Sequence, residues 1–262
     1  MAEITLDKSN LSFFKILVAV GDTSVRHALQ EILEETELQF ECVGTADEAF
    51  EALRGNYFDL LLLEIPRTAP APVLEAVRSL RSGSERFAKI PVFGWVEEGS
   101  PETVAEVRAA GLTGCFEKTA NRDELVKNLH VWTREIYEGL PVLDLKSLDK
   151  ILMFDDEQHS LLLSLFQIYS ENTQEELFKM RDLIQDGDME KLRKKAHMLK
   201  SSAAQLGALR FEKFCILMEY DTVLTAPRAK ILHSEMCKEY ENSRQKFASY
   251  CQNLGQIPNV LI

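Results

Sequence analysis

The stretch Ala196-His197-Met198-Leu199-Lys200-Ser201-Ser202-Ala203-Ala204-Gln205-Leu206-Gly207-Ala208 decides how the C-terminal half of this 262-residue chain is read. Leu192, Ala196, Leu199, Ala203 and Leu206 recur at steps of three and four, which on an α-helix stacks them into one apolar stripe. His197 lies about 100° round from Ala196, so it leaves that stripe for the exposed side. Lys200 and Ser201 follow one turn on, and Arg193 and Lys194 lie one turn back. The imidazole is therefore flanked by cations and small side chains.

That neighbourhood suits one chemistry. A free imidazole, with a pKa of about 6.5, is mostly unprotonated near pH 7 and is a competent nucleophile. It can attack phosphorus and hold the phosphoryl group as a phosphoramidate. Lys200 can place a positive charge beside the phosphoryl oxygens. Ser201, Ala204, Gly207 and Ala208 keep the surface low, which lets a second protein bring up an acceptor carboxylate.

Outward from this helix the C-terminal half shows no strand pattern. A short amphipathic helix is predicted within 143–154, capped by Asp144, and a long one over 157–184 with Leu161, Leu162, Leu165, Ile168 and Tyr169 on one side. Asp186-Gly187-Asp188 forms a turn and a new N-cap, and further helices follow over 210–223 and 229–254. Long neighbours with short connections make an antiparallel helical bundle. The run AHMLKSSAAQLGA and this helix order resemble histidine phosphotransfer (HPt) domains, in which an exposed helix His is followed by Leu-Lys, small residues and a Leu-Gly pair. The resemblance implies that His197 is the phosphoacceptor, with Lys200 as stabiliser and Gln205 as an orienting or hydrogen-bonding residue. The Leu217-Met218-Glu219 ending of the next helix is also usual for that family.

The N-terminal half alternates. Strands are expected over 14–20, 38–44, 58–63, 90–96 and 114–116, with helices from Thr23 or Ser24 and over 46–54, 73–80, 101–110 and 122–137. The uninterrupted run FDLLLL marks a strand buried on both faces. Five such units give a doubly wound parallel (βα)5 sheet, an α/β domain ahead of the all-α one. Its working crevice lies beyond the carboxyl ends of the strands. The break at Gly139-Leu140-Pro141 divides the chain into domains 1–139 and 140–262.

The segments KILVAVGD, FDLLLLEIP, IPVFGWV and AGLTGCFEKT resemble the strands of response-regulator receiver domains. In that family an acidic pair after the first strand holds Mg²⁺ and an Asp ending the third accepts phosphate. A Thr or Ser ends the fourth, and a Lys before Pro follows the fifth. Here Val20 and Gly21 replace the pair, leaving Asp22 as the nearby carboxylate, and Glu64 replaces the acceptor. Val96 replaces the hydroxyl, Thr119 the Pro and Cys115 the switch aromatic; Lys118 matches. Mg²⁺ needs oxygen ligands, and Glu64 carries its carboxylate about 1.5 Å too far for in-line transfer. This half reads as a degenerate receiver site of Asp22, Glu64 and Lys118. A Glu64–Lys118 pair is either a lock on one state or a counter-ion at a decayed site.

The net charge of −12 argues against nucleic acid and anionic membranes as partners. Residues 1–140 hold 24 acidic and 14 basic side chains against 18 and 16 in 141–262, so the acidity belongs to the N-terminal half. Cys42, Cys115, Cys215, Cys237 and Cys251 lack metal-ligand spacing and read as reduced thiols. His27, His130, His159 and His233 form no triad or metal set, and Trp95 and Trp132 read as core or edge aromatics of the first domain. With no leader pattern and no run of about 18 apolar residues, a soluble, cytoplasmic protein is expected.

Together these readings predict a phosphocarrier rather than a turnover enzyme, with no kinase ATP-binding motif and no bound cofactor. Its partners would be receiver domains of a hybrid sensor kinase and a response regulator, which would bring Mg²⁺. The alternative is a non-catalytic adaptor for a sensor kinase or response regulator, in which His197 is incidental.

Overall fold

The computed structural model describes residues 13–254 apart from 37, 85, 98, 119–121 and 222. The chain forms two compact units, Met1–Ile136 and Tyr137–Ile262, a division just before the Gly139-Leu140 break.

Unit 1 alternates β1 (Lys15–Ala19), α1 (Thr23–Glu34), β2 (Gln39–Val43), α2 (Ala46–Gly55), β3 (Leu60–Glu64), α3 (Ala71–Ser82), β4 (Val92–Val96), α4 (Pro101–Ala109), β5 (Gly114–Glu117) and α5 (Arg122–Glu138). A 3-10 turn, Arg86–Lys89, leads into β4, an element the sequence pattern does not announce. All pairings are parallel in the order β2-β1-β3-β4-β5. The central β1 and β4 are buried throughout, as are the four leucines of β3, whereas the edge strands β2 and β5 are half-exposed. That is why β3 reads as an unbroken apolar run. The strand order reverses between β1 and β3, whose registered ends are Ala19 and Leu63. The crevice of a doubly wound sheet opens at this point, between the loop after β1 and the last residue of β3.

Unit 2 holds a short α6 (Leu145–Leu152) and four longer helices: α7 (Ser160–Asp186), α8 (Met189–Leu206), α9 (Leu209–Tyr220) and α10 (Ala226–Asn253). Helix α7 begins three residues later than its periodicity suggests. Asp155 and Asp156 accept the amides of Leu161, Leu162, Gln158 and Ser160, and His159 takes a left-handed turn. These carboxylates satisfy the orphan donors of the first turn. The helices run antiparallel around an apolar core. Phe166 of α7 stacks on Phe247 of α10 with centroids 3.7 Å apart, and Leu192, Ala196, Leu199, Ala203 and Leu206 of α8 are all buried. Gly187 (φ +73°) ends α7 and Gly207 (φ +72°) ends α8, so both tight turns use the left-handed backbone that glycine adopts without strain.

Candidate functional site

The buried stripe of α8 turns His197 outward, and its side chain is 62% exposed. The turn at Gly207-Ala208 folds α9 back along α8 and brings Glu219 opposite. His197 Nδ1 and Glu219 Oε1 are 2.8 Å apart, and Lys200 Nζ donates to Glu219 Oε2 at 2.6 Å. Burial alone would raise the Glu219 carboxyl, but hydrogen bonds from Lys200 and His197 outweigh it and hold the group below the usual glutamate range. An ionised carboxylate only accepts, so the proton of this contact sits on Nδ1. Nε2 is then the bare nitrogen, and no hydrogen bond engages it among the described residues. Lys200 is largely buried, with its ammonium over the Tyr220 ring at 5.1 Å; burial opposes its charge, but Glu219 raises its pKa on balance.

The remaining residues sort differently from their spacing in sequence. Arg193 reaches the Glu219 carbonyl at 3.3 Å, while Lys194 turns away to Glu190 at 2.6 Å. Gln205 does not meet the imidazole. It lies eight residues on, about 12 Å along the axis and about 80° round, and lines a groove with Phe154 and Leu161 instead. Glu219 makes the orienting hydrogen bond that the sequence pattern assigns to Gln205. The sequence holds a signal for this: Glu219 follows the Gly207 turn at nearly the distance by which His197 precedes it, so an α8–α9 hairpin must bring them level.

The pairing sets a pH test. Glu219 has a depressed folded pKa, so it contributes stability that is complete above the unfolded value, about pH 4.3, and is lost as pH falls through the folded value. Denaturation midpoints of wild type and Glu219→Gln are expected to differ at pH 7 and to converge in acid. A gap that does not narrow below pH 4 would contradict the ion pair.

In unit 1 the crevice is closed by its own side chains. Glu64 Oε2 accepts the Gly21 amide at 2.8 Å, and Lys118 Nζ lies 2.5 Å from Glu64 Oε1 and 3.9 Å from Glu97. Asp22 Oδ1 caps α1, accepting from Ser24 N at 2.8 Å and Val25 N at 3.1 Å. Val96 is buried, Cys115 is half-buried with its thiol pKa pushed up by burial, and Thr119 lies outside the described residues. This donor set does not fit the Mg²⁺ of a receiver crevice. Both oxygens of Glu64 are engaged, and among the described residues no three His, Cys, Asp or Glu side chains converge. Of the remaining histidines, His27 is exposed, while His130, His159 and His233 are half-buried. Trp95 is buried, and Trp132 stacks on Phe93 at 3.9 Å.

An exposed helix imidazole held by a neighbouring acid in a four-helix bundle, joined to a (βα)5 domain, defines a chain that pairs a phosphotransfer-type module with a receiver-like one. Residues 164–246 match the family model of the Hpt domain. The sensor kinase/phosphatase CqsS of Vibrio cholerae, named for the autoinducer CAI-1, is 27% identical over 118 residues, 45% of this chain. The match spans only 17% of that relative's length. Similar solved structures include the chemotaxis response regulator CheY4 of Vibrio cholerae, 24% identical with a TM-score of 0.40, covering 45% of this chain and 97% of that one. A receiver domain protein of Methanospirillum hungatei is 23% identical with a TM-score of 0.40, covering 48% and 98%. Among the described residues no helix is long and apolar enough to cross a membrane.

Proposed function

We propose that the chain is a phosphorelay carrier that takes a phosphoryl group onto His197 Nε2 from the phospho-Asp of one receiver and passes it to the Asp of another. The observation that carries this reading is the hydrogen bond from His197 Nδ1 to Glu219, which leaves Nε2 bare on an exposed helix face. In the transfer the Nε2–P bond forms as the P–O bond to the aspartyl carboxylate breaks, and the carboxylate leaves with the electron pair. The imidazole becomes cationic while Nδ1 keeps its proton, and the Glu219 carboxylate stabilises that charge where it develops. Lys200 lies one turn from the nucleophile and supplies a cation to the phosphoryl oxygens. Mg²⁺ held by the partner receiver would neutralise charge on the same oxygens. Incubation with a phosphorylated receiver and Mg²⁺ is expected to give an acid-labile, base-stable phosphoryl adduct on unit 2. Receiver binding without any adduct would favour the adaptor reading.

For unit 1 we infer a pseudo-receiver, a receiver fold retained for docking or regulation rather than phosphorylation. The Glu64–Lys118 pair fills the position where a receiver accepts phosphate, and the Asp22 carboxylate is engaged at the α1 cap. Acetyl phosphate with Mg²⁺ is expected to leave residues 13–136 unlabelled under conditions that label an ordinary receiver. An acyl phosphate on Glu64 would overturn the inference.

A further inference from the structure

Lys191, Arg193, Lys194 and Lys195 crowd the first half of α8, and the three lysines are spent on acids. Lys191 meets Asp188 at 2.7 Å, Lys194 meets Glu190 at 2.6 Å and Lys195 meets Glu176 at 2.5 Å. Arg193 differs. Among the described residues it forms no ion pair with a carboxylate, and its hydrogen bond runs from Nη1 to the Glu219 carbonyl at 3.3 Å. That carbonyl belongs to the last turn of α9, where C=O groups have no intrahelical partner and carry the negative end of the helix dipole. The bond therefore holds the guanidinium in place without cancelling its charge.

The position of that charge gives it a use. Arg193 precedes His197 by four residues, so the two share a helix face one turn apart, with Cβ atoms about 5–6 Å from each other. Helix side chains lean toward the N-terminus, which carries the imidazole over the turn that holds Arg193. Both groups are also anchored on one residue, His197 Nδ1 on the Glu219 carboxylate at 2.8 Å and Arg193 on the Glu219 carbonyl. Lys200, on the other side of the ring, gives a donor to Glu219 and is largely buried. Arg193 is half-buried, and the rest of its five N–H donors are uncommitted among the described residues. The planar fork of a guanidinium matches two phosphoryl oxygens at once.

We propose that Arg193 is a second phosphoryl-binding cation of this site, its guanidinium taking oxygens of the phosphoryl group on His197 Nε2 while Nη1 stays on the Glu219 carbonyl. The role rests on the phosphocarrier reading. Arg193 contributes hydrogen bonds only, so the bonds made and broken stay those at Nε2 and the aspartyl oxygen. Because the contact persists in the phosphohistidine, it stabilises the loaded carrier and draws the equilibrium with the donor receiver toward His197.

The full chain and its Arg193→Gln variant, each equilibrated with a phosphorylated receiver and Mg²⁺, test this role. Glutamine keeps an amide donor but loses the charge and the fork. Loss of one charge-assisted contact is expected to lower the ratio of phosphohistidine to phospho-Asp about tenfold or more. Arg193→Lys keeps the charge without the fork and is expected to fall between the two. Lys194→Gln removes an equal charge from the next residue, one already paired with Glu190, and is expected to leave the ratio unchanged. Nuclear magnetic resonance separates contact from positioning. In unloaded Arg193→Gln the nitrogen-15 shifts of His197 are expected to keep the proton on Nδ1, and in wild type the Arg193 Nε–H signal is expected to move on loading. A variant in which Nδ1 loses that proton would make Arg193 a positioning residue acting through Glu219 and overturn the contact. Equal losses in Arg193→Gln and Lys194→Gln would overturn it as well, and so would an Arg193 signal that ignores loading. If wild type takes no label, the phosphocarrier reading falls and this role with it; a labelled Arg193→Gln chain with the wild-type ratio removes the role alone.

Discussion

His197→Ala is expected to leave the chain without any phosphoryl label from a phosphorylated receiver, while the protein stays folded. The fold should tolerate the change because the ring is exposed and Glu219 keeps its bond to Lys200. Surface substitutions of this kind stay within about 0.5 kcal/mol. No other imidazole among the described residues is placed to substitute within the bundle: His233 Nε2 is engaged with the Leu177 carbonyl, and His159 has its Nδ1 buried in the left-handed turn before α7. Glu219→Gln and Lys200→Ala should be intermediate. Each removes one charge-assisted interaction, worth about 1.5–3 kcal/mol, so transfer should slow roughly ten- to a hundredfold. Phosphotransfer timed with each variant beside wild type checks the series. A His197→Ala chain that labels fully would remove His197 from the mechanism, and a Glu219→Gln chain as fast as wild type would remove the acid from it.

The same residues show how far the sequence could be read. The stripe Leu192, Ala196, Leu199, Ala203 and Leu206 forces His197 outward, because periodicity fixes which face of a helix is buried before any partner is known. The leucines of β3 announce a central strand for a similar reason: burial on both faces leaves no position for a polar side chain. Cross-helix partners are less legible. Gln205 looks suitable because it shares α8 with His197, yet a shared helix gives only axial and angular offset, and eight residues put it out of reach. Glu219 becomes a partner only through the hairpin, whose register depends on one turn. Asp22 illustrates the complementary problem. It follows β1 at the crevice, but Asp before Thr-Ser is also an N-cap signal, and capping is what engages it. The Glu64–Lys118 pair could be anticipated because strand order alone brings the ends of β3 and β5 to the same edge of the sheet.

That dependence on one turn makes Gly207→Ala the most damaging single-methyl change expected in the bundle. Gly207 has φ +72°, and a Cβ there would stand 2.8 Å from the Asp144 carbonyl oxygen and 2.9 Å from Ser147 Cβ. The clash is with backbone and with a β-carbon, so no flexible side chain can swing away. The Gly207 carbonyl in turn accepts the Asp144 amide at 2.7 Å, tying the start of α6 to the turn. Left-handed backbone costs an alanine about 1–2 kcal/mol, and overpacking adds about 1–3 kcal/mol, so a loss near 3 kcal/mol is expected. Gly187→Ala is the internal control. Its φ is +73°, but nothing lies within 4 Å of the added carbon, so it should show the backbone cost alone. Far-ultraviolet circular dichroism follows the bundle, and the fluorescence of Trp95 and Trp132, both in unit 1, reports separately on the other unit. The expected result is a large drop in the bundle midpoint for Gly207→Ala, a smaller one for Gly187→Ala and an unmoved tryptophan transition in both. Because the Gly207 turn sets which residue of α9 faces His197, the folded fraction of Gly207→Ala should also transfer phosphoryl groups more slowly than that of Gly187→Ala. Equal stabilities for the two variants would mean that α6 yields freely, and the hairpin register would then have to be held by the α8–α9 core itself.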